Sequence, residues 1–377
     1  MHEFRPAWRT IATFVVCLAS AVLLGGCERT HTEQRGFRGN GLIQVKRPKA
    51  ILAAAEINRI PEPEARDAPD PDAPAIKDVF KNVQVLDDLT VLEFARLMQA
   101  LSTWVAPDVG CEYCHNPEKL ESDEKYTKVV ARRMLQMTRK INTEWKAHVA
   151  GTGVTCWTCH RGQAVPSGDW FGNPGPDPTM HATGNRDHQN QPGIAATGNS
   201  ALPNDALSAF LDHADEIRIQ GTSALRGPHH DSVKRAEWTY SLMIYLSHSL
   251  GVNCDYCHNT RALGRWEESA PQRVTAWYGI RMVRDLNNAF LDPLASRFPA
   301  YRLGPTGDGP KVGCETCHKG SFKPLGGVSM LADYPELAGV MARAPVEAAS
   351  APPQAALQLP PAHLARQGVG QVARASP

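Results

Sequence analysis

Eight of the ten cysteines in this 377-residue chain fall in four copies of one pentapeptide. The copies are Cys111-Glu112-Tyr113-Cys114-His115, Cys156-Trp157-Thr158-Cys159-His160, Cys254-Asp255-Tyr256-Cys257-His258 and Cys314-Glu315-Thr316-Cys317-His318. Two thiols three positions apart, followed at once by an imidazole, suit one chemistry well. The thiols add to the vinyl groups of a porphyrin as thioethers, and the histidine becomes the proximal ligand of the iron, as in c-type haem attachment. A zinc ribbon would pair C-x-x-C units roughly 15–20 residues apart, and these copies lie much farther apart than that. A redox dithiol has no need of the following histidine, yet every copy carries it.

The cysteines left over are Cys17 and Cys27. No pair remains for a structural disulfide in the mature domain, so each motif sulfur is expected to be committed to haem. Covalent haem attachment takes place outside the bacterial cytoplasm, and the N-terminus carries the matching export signal. Arg5 and Arg9 give a positive n-region, Ile11 to Leu24 an apolar h-region, and Leu24-Gly25-Gly26-Cys27 resembles a bacterial lipobox. Residues 1–26 read as a lipoprotein signal peptide and Cys27 as a diacylated anchor. Two acyl chains meet the two-signal requirement for stable anchoring. The competing reading, an uncleaved membrane helix, falls short of the ~20 apolar residues that a span needs.

The elements that must hold these motifs read as helices. A helix from about 86 to 104 carries Leu89, Leu92, Leu97, Met98 and Leu101 on its apolar side and stops before the first motif. Ahead of the second, Tyr126, Val130, Met134, Met137, Ile141, Trp145 and His148 recur at three- and four-residue steps, so they share one helical face. That face offers a thioether and an imidazole, either of which can complete a six-coordinate haem iron. Met134 and His148 lie roughly 21 Å apart on one continuous helix at about 1.5 Å per residue, too far to serve the same iron.

The two halves repeat. Glu93-Phe-Ala-Arg-Leu-Met98 before Cys111 parallels Glu237-Trp-Thr-Tyr-Ser-Leu-Met243 before Cys254. Met137-Thr-Arg-Lys-Ile-Asn142 parallels Met282-Val-Arg-Asp-Leu-Asn287 before each second motif. In that register Met134 stands opposite Gly279. If Met134 is a ligand, the fourth site lacks its counterpart and His148 is the best substitute. If Met137 is the ligand, Met282 should serve the fourth site. Periodicity leaves both open.

The chain therefore divides into a signal peptide (1–26), an N-terminal arm with the anchor Cys27 (27–80) and a first dihaem repeat (81–165). A Gly/Pro/Asn-rich connector (166–230), in which His181 and His188 read as solvated loop residues, leads to a second dihaem repeat (231–325). An Ala/Pro-rich tail (326–377) that reads as disordered follows. The fold class is all-α, a multihaem cytochrome of two pseudo-twofold-related halves, each helix, haem, helix, haem, with long irregular segments. A net charge of +1 and the lack of a DNA-binding motif argue against nucleic acid as a partner.

Four C-x-x-C-H sites in two tandem pairs, a lipobox, and Met134-Leu-Gln-Met137-Thr-Arg ahead of Thr155-Cys-Trp-Thr-Cys-His-Arg-Gly162 resemble the tetrahaem cytochrome subunit of purple-bacterial photosynthetic reaction centres. The resemblance spans about residues 80–325. It implies four covalent haems c, axial Met98, Met134 and Met243 opposite His115, His160 and His258, and a bis-histidine fourth iron held by His148 and His318. It also implies an electron-transfer subunit rather than an enzyme, on the periplasmic face of the photosynthetic membrane, docked on the L and M subunits of a complex that includes H. The third site would lie nearest the bacteriochlorophyll special pair and re-reduce it. Electrons would come from a soluble cytochrome c or a high-potential iron–sulfur protein.

The competing classes are a periplasmic multihaem reductase, which would need an iron without a sixth ligand or an atypical motif, and a free-standing lipoprotein carrier. Around the first motif Glu112, Glu118, Glu121, Asp123 and Glu124 outnumber Lys119 and Lys125, whereas the other motifs have basic neighbours. This asymmetry marks the first site as the expected dock for a basic soluble donor.

Overall fold

The computed structural model describes residues 29–339 apart from 36–41, 67, 69, 71, 174–201, 204 and 220–232. The signal segment, the anchor Cys27, His181, His188 and the tail beyond 339 lie outside the described residues. The chain is mostly helical. Among the described residues the one sheet is an antiparallel pair, β1 (His31–Arg35) and β2 (Leu42–Lys46), with His31 opposite Lys46. Helix α1 (Pro48–Ile57) follows, started by a proline whose missing N–H costs nothing in a first turn and carried by an alanine-rich run. The arm thus holds more regular structure than its prolines suggest, because those prolines cluster after α1. A single turn, α2 (Ile76–Val79), buries Ile76.

Helix α3 (Val91–Val105) begins later than expected, and a capping box explains why. Thr90 Oγ1 accepts from the Glu93 N–H at 3.3 Å, and Glu93 Oε2 accepts from the Thr90 N–H at 3.0 Å. Leu86 and Leu89 remain core residues ahead of that cap. Helix α4 (Tyr126–Glu144) stops at Trp145, and His148 sits on a separate short helix, α5 (Lys146–Val149). The continuous helix read from the sequence through His148 is therefore broken. Trp145 leaves helical geometry while its Nε1 donates to Asp285 Oδ2 at 3.0 Å, a tertiary bond that outweighs helical continuity, and Ala150 ends α5 at φ 52°.

The second motif is itself a helical turn, α6 (Cys156–His160). Helices α7 (Val233–Leu250) and α8 (Gln272–Leu286) repeat the pattern, α8 passing into a π-helical turn at Asn287–Leu291, and the fourth motif forms α9 (Cys314–His318). The first and third motifs open instead in 3₁₀ turns, Gly110–Tyr113 and Cys254–Tyr256. No described helix is long and apolar enough to cross a membrane.

Leu97, Ala100 and Trp104 of α3 pack with Leu135 of α4 and with Met330, Tyr334 and Leu337. The tail drawn from residue 326 therefore starts too early. Residues as far as Leu337 fold back on α3, with the Tyr334 ring edge-on to Trp104 at 4.6 Å. Met330, Tyr334 and Leu337 stand at helical spacing, but the segment is broken into short 3₁₀ turns at Pro324–Gly327 and Pro335–Ala338, so no helix marks it. A second cluster joins α7, α8 and Trp170 around Cys314, and a third forms where Met137 and Ile141 of α4 meet Met282 and Leu286 of α8.

Candidate haem-binding sites

Each motif histidine is oriented by a backbone carbonyl. His115 Nδ1 bonds the Leu120 carbonyl at 3.0 Å and His258 Nδ1 that of Leu263 at 3.1 Å. His160 Nδ1 bonds Gln163 at 2.8 Å and His318 Nδ1 bonds Ser321 at 2.8 Å. A carbonyl only accepts, so Nδ1 carries the proton and Nε2 offers its lone pair to a metal. The intervals also sort the motifs: five residues at the first and third, three at the second and fourth.

The supporting bonds follow the same pairing. Asn116 Nδ2 donates to Glu124 Oε1 at 2.6 Å, and Asn259 Nδ2 to Glu268 Oε2 at 3.2 Å, closing the loops behind the first and third histidines. Ahead of the second motif, Asn142 accepts from the Val154 N–H at 2.8 Å and donates to the carbonyls of Val154 and Leu337. Ahead of the fourth, Asn287 accepts from the Val312 N–H at 2.9 Å and donates to the carbonyls of Leu211 and Val312. Thr158 Oγ1 accepts from Thr155 N–H, as Thr316 Oγ1 does from Gly313 N–H. Both asparagines stood in the sequence repeat, but their role could not be read there, because their partners lie on other segments.

One cavity of about 1530 Å³ holds Met98, Cys111, Cys114 and His115 together with Met134, Cys156, Cys159 and His160. Pockets for one drug-sized ligand are roughly 300–1,000 Å³, so this space suits two large apolar groups. The ligand types expected at the first and second sites thus converge. Met98 and Met134 are half-buried, whereas Met137 is buried against Met282 in the third cluster, although it also reaches the cavity wall. Met243 is half-buried against the second cluster.

At the fourth site two imidazoles come together with their planes inclined by 65°. The ring centres of His148 and His318 are 6.0 Å apart. Two metal–imidazole bonds of ~2 Å each, plus half of each ring, span about that distance. His148 reaches this position from α5 by lying over Gly279 of α8: a Cβ built on Gly279 would come 2.5 Å from His148 Cε1 and 2.8 Å from Nδ1. His148 Nδ1 bonds the Thr275 carbonyl at 2.9 Å, which leaves its Nε2 free to ligate. Burial lowers the pKa of His148 and, with repulsion from His148, that of His318 to about 4; burial also lowers His160. All three are neutral at physiological pH, as a metal ligand must be.

Burial pushes the Cys156 and Cys314 thiols up to about 12 and the Cys257 thiol to about 11. Among the described residues no three His, Cys, Asp or Glu side chains converge on one point as a zinc site would require. One feature departs from the sequence reading. Helices α6 and α9 pack so closely that the Cα atoms of Cys159 and Cys317 are 4.4 Å apart and their sulfurs are bonded to each other. For each sulfur, this disulfide and a thioether are alternatives.

The acidic neighbourhood of the first motif is less uniform than its sequence. Asp123 pairs with Arg132 at 2.9 Å and Lys128 at 3.5 Å. The Arg132 hydrogen bond chiefly, aided by Asn82 and the two cations, holds its carboxyl at about 2. Glu124 is engaged by Asn116. Glu112 and Glu118 are exposed, and Glu121 is half-buried.

A family model described as photosynthetic reaction centre cytochrome C subunit matches residues 27–338. The photosynthetic reaction center cytochrome c subunit of Rubrivivax gelatinosus is 48% identical over 344 residues, 90% of this chain and 93% of that one. That of Thermochromatium tepidum is 47% identical over 337 residues, 88% and 81% of the two chains. That of Roseobacter denitrificans is 40% identical over 347 residues, 85% and 89%.

Proposed function

The chain belongs to the photosynthetic reaction centre cytochrome c subunit family, and we propose that it carries four covalent haems c which return electrons to the photo-oxidised special pair. The paired imidazoles of His148 and His318 carry this reading. With both imidazoles committed to one iron, these residues would leave no position for a small substrate and would suit electron exchange. The haems, when bound, supply the one-electron centres between a soluble periplasmic carrier and the special pair.

The chain's own part is to hold and bias those centres. Cys111, Cys114, Cys156, Cys159, Cys254, Cys257, Cys314 and Cys317 attach them, and His115, His160, His258 and His318 ligate from one side, each fixed by its carbonyl. Met98, Met134 and Met243 would be the further ligands of the first three, and His148 of the fourth. The matched intervals His115–Leu120 with His258–Leu263, and His160–Gln163 with His318–Ser321, support two related dihaem halves. Thioether ligation raises a haem potential relative to imidazole, so the His148 ligand would lower the fourth potential relative to a thioether in the same place. We keep thioethers at Cys159 and Cys317, because the histidine beside each is already oriented for iron.

Anchored through Cys27, the subunit sits on the periplasmic face of the membrane against L and M. Flash excitation of membranes tests the proposal: the c-type α-band bleaches within microseconds if the chain feeds the special pair. It stays unbleached if the chain is a free-standing carrier or a reductase.

A further inference from the structure

Two residues just past the second and fourth motifs hold a backbone conformation that non-glycine residues rarely adopt. Arg161 lies at φ 51°, ψ 40° and Lys319 at φ 46°, ψ 52°. Each is the left-handed cap of its motif helix, and each is followed by a glycine of positive φ, Gly162 and Gly320. Glycine would take the cap itself without strain, whereas a side chain there is strained and points to a role for the side chain.

The caps send the two side chains across the junction between α6 and α9. Arg161 Nη2 donates to the Cys317 carbonyl of the fourth motif at 3.3 Å and to Asn58 Oδ1 at 3.2 Å. Lys319 Nζ crosses the other way, donating to the carbonyl and hydroxyl of Ser167 at 2.9 and 2.8 Å. Arg161 Nε and Nη1 are buried and have no protein acceptor. A guanidinium stays charged in proteins, so a fixed positive charge, only partly satisfied, lies against His160 in the chain and Cys317 in space.

We infer that Arg161 is a positioning and tuning residue shared by the second and fourth haems, raising both potentials at once. The inference rests on the haem reading above. Ferric haem carries one more positive charge than ferrous, and a buried cation interacts more strongly in low dielectric than in water. Arg161 therefore disfavours oxidation of whichever iron it faces. Because its contacts span both motifs, one side chain should move two centres, whereas a simple tether would move neither.

The test is a potentiometric titration of the purified complex carrying Arg161→Gln or Arg161→Lys. Haem content per chain and the α-band spectrum are measured in parallel. In Arg161→Gln two of the four midpoints should fall, each by about tenfold in the equilibrium constant for reduction, or 59 mV for one electron. Arg161→Lys keeps the charge and should hold both within half that shift. Midpoints that all stay put in Arg161→Gln, or a shift confined to one haem, overturn the inference, as does an equal fall in both variants. A haem content below four in wild type overturns the underlying haem reading instead. Should Arg161→Gln fail to assemble, Asn58→Ala, which removes the other anchor of the guanidinium and keeps its charge, must shift the same two midpoints by less than the tenfold step. A larger or differently placed shift rejects the role.

Discussion

The imidazole of His148 lies over Gly279, in space that any side chain on α8 would fill. This one relationship links the break in the helix at Trp145 to the choice of ligand at the fourth site. Gly279→Ala should displace His148 from its position opposite His318, at an overpacking cost of about 1–3 kcal/mol. One haem should then lose its bis-imidazole low-spin signature in electron paramagnetic resonance, with three unchanged. His148→Met should raise the midpoint of that same haem alone. A titration in which all four midpoints keep their wild-type values would reject the ligand assignment.

Met134 and Met137 offer a second test, because the structure treats them differently. Met137 is buried against Met282, so Met137→Leu is a volume-conserving swap costing less than about 1.5 kcal/mol, with four low-spin spectra retained. Met134→Leu should leave one iron without its thioether and perturb one spectrum. The reverse result would mean that the ligand register is off by one helical turn.

The four motifs, the two-part repeat and the tension between Met134 and Gly279 were legible in the sequence, because each rests on residue identity at fixed spacing. The break at Trp145 was not, since it depends on Asp285, far along the chain. Nor could the packing of Tyr334 on Trp104 be read from a segment interrupted by Gly326, Gly327 and Pro335. Arg161 and Lys319 looked like ordinary basic residues after a motif; only their backbone angles and partners set them apart.

Asn142 and Asn287 are buried amides that each make three bonds to backbone at the approach to a motif. Alanine at either position orphans an N–H and two carbonyls, at about 1–3 kcal/mol for each group left buried and unpaired. A loss of roughly 3 kcal/mol or more is expected in denaturant unfolding. The yield of the attached haem should fall at the second site in Asn142→Ala and at the fourth in Asn287→Ala.

The Asp123 cluster fixes a pH window. Its carboxyl titrates at about 2 in the folded chain against 3.8 for a free side chain. The unfolded chain therefore binds the proton first as pH falls. The stability contributed by the Arg132, Lys128 and Asn82 contacts is fully present above 3.8 and is lost as pH falls through about 2. The thermal midpoints of wild type and Asp123→Asn should differ at pH 5 and converge near pH 2. A gap independent of pH would show that the carboxylate charge is not what these contacts use.

Donor docking is the remaining question, and the structure narrows the residues that can take part. Asp123 is neutralised by Arg132 and Lys128, whereas Glu124 accepts only from the neutral Asn116 amide and keeps its charge at the surface. Glu112 and Glu118 are exposed beside the first motif. Steering by such charges can raise association rates by about 10–10³-fold at low salt and fades as the Debye length shrinks to ~8 Å at physiological ionic strength. Three exposed carboxylates, Glu112, Glu118 and Glu124, in a field diluted by Lys119, Lys125 and Lys128 place the expectation at the low end of that range. Reversing two of them, in Glu112→Lys with Glu118→Lys, should slow haem re-reduction by a basic soluble cytochrome c about tenfold at low salt and flatten its dependence on salt. An iron–sulfur donor that docks through apolar contact should respond little to either change. If the cytochrome c rate is already flat with ionic strength in wild type, the acidic patch is a solvated surface and the donor binds elsewhere.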